Sequence, residues 1–472
     1  MPSIFYAFFR NEINAATALL ITAVVFLCLG FILNALCERK TVNFKQSCAL
    51  LVLFYLVITI INSIPYLYLG IFDGNLLDQF FNSWFETVSA SSTSGLTLLD
   101  GVIVPKSLVL ARGISEWVGG IGLIFILLSS FYPSESLFHY AKVLGIEKIA
   151  KSYRGSFLVV LVIYVVYTII FSGILILSGV DVFTAFHTTF TIFSTTGLTI
   201  VNVLNLPILA IVAVTVMMLF SAFSFTFHLN LISSLTKMDW KNFIKGNWRM
   251  FISSLSKVNL KKLLPMELKI YLLFLLLFTI AFWYETGVPL LRSFFHITDF
   301  SSSCGLNLIN FNEITEMGKI ILIIAMFVGP MSFSVGGGIR VLRVYVLFKA
   351  IRDLPKTFLR GETSKIKLEE DYIEMPDFVL HLLIIVLFIV FSFFAAVFLC
   401  NYGYSFVDAL VESVSAITTT GDSPKILTPT HPFSLKFLLT LLMFLGRIEI
   451  IPVFIAFSRV KETKKKEYYR KI

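Results

Sequence analysis

Residues 78–97 read DQFFNSWFETVSASSTSGLT, and the design returns three times: VFTAFHTTFTIFSTTGLT (182–199), LLRSFFHITDFSSSCGLN (290–307) and SFVDALVESVSAITTTGDS (405–423). Each stretch is semi-apolar over about 10–14 residues, too short to cross a bilayer, which takes about 20. Each ends in small hydroxyl residues and a glycine. Aligned on Gly95, Gly197, Gly305 and Gly421, the preceding triplets are Ser92-Thr93-Ser94, Ser194-Thr195-Thr196, Ser302-Ser303-Cys304 and Thr418-Thr419-Thr420. Nine positions before each glycine sit Glu86, Thr188, His296 and Glu412. The glycines are 102, 108 and 116 residues apart (197 − 95, 305 − 197, 421 − 305). An internal period of that length decides architecture before local detail does. One such tetrapeptide occurs in any ordinary turn; four in register do not.

Working outward, the four stretches lie between long apolar ones, near 16–37, 48–71, 106–131, 156–179, 206–232, 268–286, 318–348, 376–401 and 434–458. Each is long enough to span a bilayer. The whole chain is 57% hydrophobic and only 14% charged, with a mean hydropathy of +0.87. A soluble protein carries about 25% charged residues, so lipid must be the solvent for much of this surface. Met1–Arg10 lacks a basic start followed by an apolar run, so no cleavable signal is expected. Five cysteines without CxxC spacing indicate neither a zinc site nor a disulfide framework.

The net charge of +9 does not imply nucleic acid as a partner. About 30 of the 38 Lys and Arg fall in 38–47, 132–156, 236–269, 340–375 and 459–472, which alternate with nearly uncharged segments. That is the positive-inside pattern, with anionic lipid as neighbour. It places the C-terminus in the cytoplasm and all four glycine loops on the outside. The resulting expectation is an all-α integral membrane fold: four pseudo-symmetric helix–pore loop–helix repeats around one central pore, plus an extra N-terminal helix. The divisions are 1–45 for the extra helix, 46–135, 150–235, 265–350 and 374–460 for the repeats, and 461–472 for a basic tail.

Four small-residue turns around one axis suit a cation. Backbone carbonyls aimed inward replace its hydration shell. Glycine supplies the left-handed backbone such a turn needs, and each short helix points its partially negative C-terminal end at the ion. None of the four tetrapeptides contains Lys or Arg. With these turns on the page, the sequence resembles the Trk/Ktr/HKT superfamily of potassium transporters, Trk-type above the others. Three further stretches carry the resemblance: SEWVGGIG (115–122), SVGGGIR (334–340) and LGRIEI (445–450). The resemblance covers the chain from about residue 45 onward. The single helix before the first repeat, and Cys304 where Ser or Thr is commoner, depart from the family pattern. The resemblance implies K+ as the transported ion, a selectivity filter at the sixteen residues of the tetrapeptides, a homodimer in the cell inner membrane, and a cytoplasmic nucleotide-binding (RCK-type) regulatory subunit. With one glycine per repeat instead of TVGYG, fewer carbonyl sites and weaker discrimination against sodium are expected.

Gly336, Gly337 and Gly338, after Gly329-Pro330, interrupt an apolar span and predict a loop there. In the resembling family that loop gates the pore; close helix packing through small residues is the alternative. Gly337→Val is expected to alter flux at unchanged ion preference. Arg447, deep in the last span, needs a partner or water. The resemblance makes it an electrostatic pore barrier; a pair with Glu449 or Glu116 is the alternative. Glu86 and Glu412 are expected to hydrogen-bond behind the filters. Asp422 is either an attractor of cations at the outer mouth or a helix N-cap. His187 and His296 read as packed polar residues. The lysines of 236–269 face either a regulatory subunit or headgroups. No Walker motif, H-E-x-x-H or paired carboxylate supports an enzyme, and no organic cofactor is implied. An ion-coupled carrier of organic solutes is disfavoured because such folds show inverted repeats, whereas these four share one orientation. Sodium- or proton-coupled transport within the same superfamily stays open.

Overall fold

The computed structural model describes residues 1–37, 44–99, 102–130, 153–236, 263–306, 308–360, 366–367, 372–373 and 375–459. Among them the chain is helical, apart from a two-residue antiparallel pair, β1 (Ile366–Lys367) with β2 (Tyr372–Ile373). Two helices precede the periodic part, α1 (Pro2–Phe9) and α2 (Ile13–Leu36). The first unit follows: α3 (Phe44–Asn62) with its one-turn continuation α4 (Ile64–Tyr68), the short α5 (Leu76–Ser91), and α6 (Lys106–Ser130). The second comprises α7 (Tyr153–Leu177), short α8 (Val182–Phe193), and α9 (Ile208–Ala222) broken before α10 (Phe225–Thr236). The third comprises α11 (Met266–Thr286), short α12 (Leu290–Ser302), and α13 (Glu316–Val328) separated by a loop from α14 (Val341–Arg360). The fourth comprises α15 (Met375–Cys400), short α16 (Phe406–Thr418), and α17 (Phe433–Ile448) broken before α18 (Ile450–Phe457).

The sequence dictates both the length and the facing of these elements. Ile13–Leu36 contains no charged residue over 24 positions, so nothing but a fully hydrogen-bonded helix can sit in lipid there. In α11, Tyr271, Leu275, Thr279 and Phe282 are buried, while Leu272, Leu273, Leu276 and Leu277 are exposed. That is one helical face turned inward and the other turned to lipid. The short helices start at side-chain caps where the sequence offers one. Asn75 accepts from the Asp78 amide, Asp181 from Thr184 and Ser405 from Asp408.

Each of the nine apolar stretches is helical over most of its described residues. Among the described residues, five helices are long and apolar enough to cross a membrane, and two bent pairs meet the same test together. The loop expected in the seventh stretch occupies 329–340. Two further breaks were not expected: a 112° bend between α9 and α10, and a 99° bend at Glu449. The first lies at Phe223-Ser224, the second three residues before Pro452, whose missing N–H weakens the preceding turn. The basic tail and most of the lysine-rich segment (237–262) lie outside the described residues.

Candidate functional site

Each short helix ends in the same backbone turn. Thr93, Thr195, Ser303 and Thr419 adopt left-handed φ of 55°, 61°, 61° and 53°. Two residues on, Gly95, Gly197, Gly305 and Gly421 are left-handed as well, at 77°, 76°, 66° and 98°. Here glycine is required twice over. A non-glycine residue is disfavoured at such φ, and there is no room for a side chain. A Cβ on Gly95 would overlap the carbonyl oxygen of Thr196; on Gly197, those of Cys304 and Gly305; on Gly305, that of Thr420. A Cβ on Gly421 would lie 2.9 Å from Cα of Gly95, against the Ser94 carbonyl. The four turns therefore meet in cyclic chain order, backbone against backbone.

Within the turns, Ser92 pairs with Ser94, Ser194 with Thr196 and Thr418 with Thr420, each hydroxyl pair 2.8 Å apart. The third turn differs because of Cys304. Its Sγ donates to the Ile192 carbonyl (3.4 Å), while Ser302 Oγ donates to Asp299 O (3.1 Å) as Ser92 and Ser194 do to Ser89 O and Thr191 O. The middle hydroxyls behave alike in all four turns. Thr93, Thr195, Ser303 and Thr419 are fully buried, and none of their oxygens has a hydrogen-bond partner in the protein. A buried hydroxyl left unsatisfied costs about 1–3 kcal/mol. Four at equivalent positions leave each turn with a buried hydroxyl free to meet a hydrogen-bonding or cationic group.

Carboxylates hold the turns from behind. Glu86 accepts from Thr97 Oγ1 (2.9 Å) and from the Leu98 amide; Glu412 accepts from Ser423 Oγ (2.5 Å). This agrees with their expected role behind the glycine turns. In the third turn the equivalent tie is made by Asp299, whose two carboxylate oxygens lie 3.2 Å from the Leu306 amide nitrogen. The register placed His296 opposite Glu86, and sequence reasoning passed over Asp299; its signal was a lone acid near the end of an apolar short helix. The second turn has no acid there. Instead Arg112, 3.5 Å from Glu116, lies 3.5 Å from the Leu198 carbonyl oxygen. His187 packs its ring against Gly113, where a Cβ would come within 3.1 Å of it, and His296 is buried beside Phe295. Asp422 is wholly buried, and no helix begins after it before Phe433, which removes the N-cap reading.

Directly against the turns lies the 329–340 loop. Its ties are Met331 N to Ala222 O (3.0 Å), Val335 N to Ser221 O (3.3 Å), Ile339 N to Phe327 O (3.0 Å) and Ser332 N to Glu267 Oε1 (2.6 Å). A Cβ on Gly336 would come 2.7 Å from the Ser302 carbonyl oxygen, and one on Gly337 would overlap the Thr418 carbonyl oxygen and the Thr419 hydroxyl. Gly336 and Gly337 thus touch the third and fourth turns, while Gly338 packs against Met326 and Gly329; 329–340 is a loop and not helix.

Arg447, 4% exposed, donates to Val335 O (3.0 Å), Gly119 O (2.6 Å) and Gly120 O (3.0 Å). It bolts the loop of the third unit and the SEWVGGIG helix of the first to the last span. The expected alternative, an ion pair with Glu449 or Glu116, is not what holds it. Glu449 pairs with Arg343 (2.8 Å) and Arg340 (3.4 Å), and Glu116 with Arg112. Arg447 and the three glycines line a cavity of about 20 Å³.

Comparison with known proteins gives the family and the fold. Residues 15–469 match the TrkH family profile, described as a cation transport protein. An uncharacterized cation transporter of Methanocaldococcus jannaschii is 25% identical over 457 residues, covering 95% of this chain and 90% of that protein. The Trk system potassium uptake protein TrkH of Escherichia coli is 21% identical, over 89% and 86% of the two chains. The crystal structure of the potassium transporter TrkH from Vibrio parahaemolyticus superposes with a TM-score of 0.75 at 19% identity, over 94% of this chain and 92% of that one.

Proposed function

Because this chain is an integral membrane protein of the TrkH family of cation transport proteins, we propose that it carries potassium inward through a path lined by the four glycine turns. The observation that carries this reading is the set of four buried, unpartnered hydroxyls, Thr93, Thr195, Ser303 and Thr419, on turns that meet backbone to backbone. On this reading the four tetrapeptides form the selectivity filter, at the axis of the four repeats within 46–135, 150–235, 265–350 and 374–460. Thr418 and Ser302 present carbonyls to the loop of Gly336–Gly338, which acts as the gate. Arg447 places a fixed positive charge next to that gate and sets a barrier to cations. Carbonyl and hydroxyl oxygens are the ligands K+ prefers over water, and Cys304 is tolerated because its sulfur points elsewhere while its carbonyl remains in the ring.

The protein works in the cell inner membrane with its C-terminus in the cytoplasm, as a homodimer with a nucleotide-binding regulatory subunit on its lysine-rich cytoplasmic side. The driving force is the membrane potential, about 2.3 kcal/mol per charge per 100 mV. The test is rubidium uptake into liposomes holding the purified protein under an inward-negative potential. Saturable uptake, blocked by potassium well below the sodium concentration that blocks it, is the expected result. Equal block by the two ions would make the protein a sodium-permeable transporter. Absence of uptake both alone and with the regulatory subunit would overturn the reading.

A further inference from the structure

Each unit opens with a long helix that carries a buried aromatic residue, at matching spacing in the last three units and about two turns farther back in the first: Tyr55, Tyr164, Tyr271 and Phe388. They stand 40, 33, 34 and 33 residues before Gly95, Gly197, Gly305 and Gly421 (95 − 55, 197 − 164, 305 − 271, 421 − 388). All four are buried, and they differ in what their hydroxyl meets. Tyr55 donates to the backbone carbonyl of Ser91, and the Tyr271 hydroxyl lies 3.1 Å from Ser301 Oγ. Ser91 and Ser301 are the residues four before the glycine, in the last turn of the short helix. Phe193 and Ile417 occupy that position in the second and fourth units. There the Tyr164 ring packs 4.8 Å from the Phe193 ring, its buried hydroxyl has no hydrogen-bond partner, and Phe388 carries no hydroxyl at all. In the cyclic order of the turns, the first and third stand opposite each other. One opposed pair is strapped by a phenol, and the other is packed by apolar contact.

We propose that Tyr55 and Tyr271 are positioning residues for ion selectivity, straps that fix the first and third filter turns at the radius of the dehydrated cation. A filter discriminates between ions only as far as its oxygens are held in place, and each strap joins a turn to a spanning helix that cannot follow it. The Tyr55 ring is wedged edge-on against Phe444 (5.9 Å), and the Tyr271 ring against Phe223 (6.2 Å). The second and fourth turns keep their own internal hydrogen bonds but have no such strap to the opening helix of their unit. This inference rests on the potassium-filter reading above.

The experiment compares full-length wild type with Tyr55→Phe, Tyr271→Phe, Ser301→Ala and Tyr164→Phe in liposomes. It reads the ratio of potassium to sodium concentrations that block rubidium uptake. Wild type is expected to prefer potassium. Tyr55→Phe and Tyr271→Phe should lower that preference about two- to tenfold, the range spanned by one buried hydrogen bond, while still passing rubidium. Ser301→Ala should lower the preference at least as far as Tyr271→Phe, because it also removes the Ser301 bond to Thr298 O (3.3 Å), and adding Tyr271→Phe to Ser301→Ala should lower it no further. Tyr164→Phe loses the same atom with no bond to break and should keep the wild-type ratio. A selective wild type whose Tyr55→Phe and Tyr271→Phe forms keep its ratio would overturn the straps alone, as would an equal loss in Tyr164→Phe. A wild type without ion preference would overturn the filter reading together with them.

Discussion

Gly337→Ala is the most incisive single change, because it adds one carbon where the loop touches the fourth turn. That carbon would overlap both the Thr418 carbonyl oxygen and the Thr419 hydroxyl. Overpacking of this kind typically costs about 1–3 kcal/mol. The side that gives way is decided by what holds each. The fourth turn is fixed by Thr420 N on Ser415 O (2.9 Å), Gly421 N on Ser415 Oγ (2.9 Å) and the Thr418–Thr420 hydroxyl pair. The loop is tied at Met331, Ser332, Val335 and Ile339, on either side of Gly336–Gly338. The strain is therefore relieved by moving the glycines away from the turn, which on the proposed gate reading is the opening direction. If the resting loop is closed, 1–3 kcal/mol shifts its equilibrium about five- to 150-fold toward open. Rubidium uptake should rise by a factor in that range, with potassium-to-sodium preference unchanged. Gly173→Ala, where a Cβ meets nothing within 4 Å, serves as the control. Wild-type uptake from a correctly inserted Gly337→Ala protein would refute the gate. Unchanged uptake with a collapsed ion preference would show that the turn yields and the loop does not.

Arg447→Gln removes the charge and at least one of three carbonyl contacts. Each such bond to a charged group is worth about 1.5–3 kcal/mol, so the melting temperature in detergent should fall while uptake rises. Equal melting and equal uptake would show that Arg447 is neither bolt nor barrier. Glu86→Ala frees the Thr97 hydroxyl and the Leu98 amide. A loss of about 1–3 kcal/mol and a lower potassium preference are expected, whereas a drop in uptake with preference intact would place Glu86 outside the filter's support. Lys319→Met breaks pairs with Asp408 (2.7 Å) and Glu316 (3.0 Å). Partly exposed pairs contribute about 1 kcal/mol or less, so ion preference should be untouched and stability, followed by thermal melting, only slightly lower.

Much of this molecule was legible in its sequence because lipid leaves so few choices. Runs such as 13–36 can only be helices. The fourfold S/T-x-x-G period survives as a pattern because each turn needs a residue without a side chain at the same point. The conformation of those glycines and the interruption at 329–340 follow from the same backbone chemistry, as does the placing of Glu86 and Glu412 behind the turns. Partner choice was not legible, because it depends on what the other units bring to the same place. Arg447 had two acids in range by sequence and took three carbonyls, two of them more than 300 residues away. Glu449 went to Arg340 and Arg343 of another unit. Asp299 replaced His296 because the hydrogen bond is set by reach to the Leu306 amide and not by alignment to Glu86. The sequence by itself determined a helical membrane chain with four equivalent turns, since that information is local and periodic. Only the tertiary structure decided that the turns meet in cyclic order, that two of the four are strapped by a phenol, and which charge answers which. Those contacts are long-range, and no residue's own neighbours encode them.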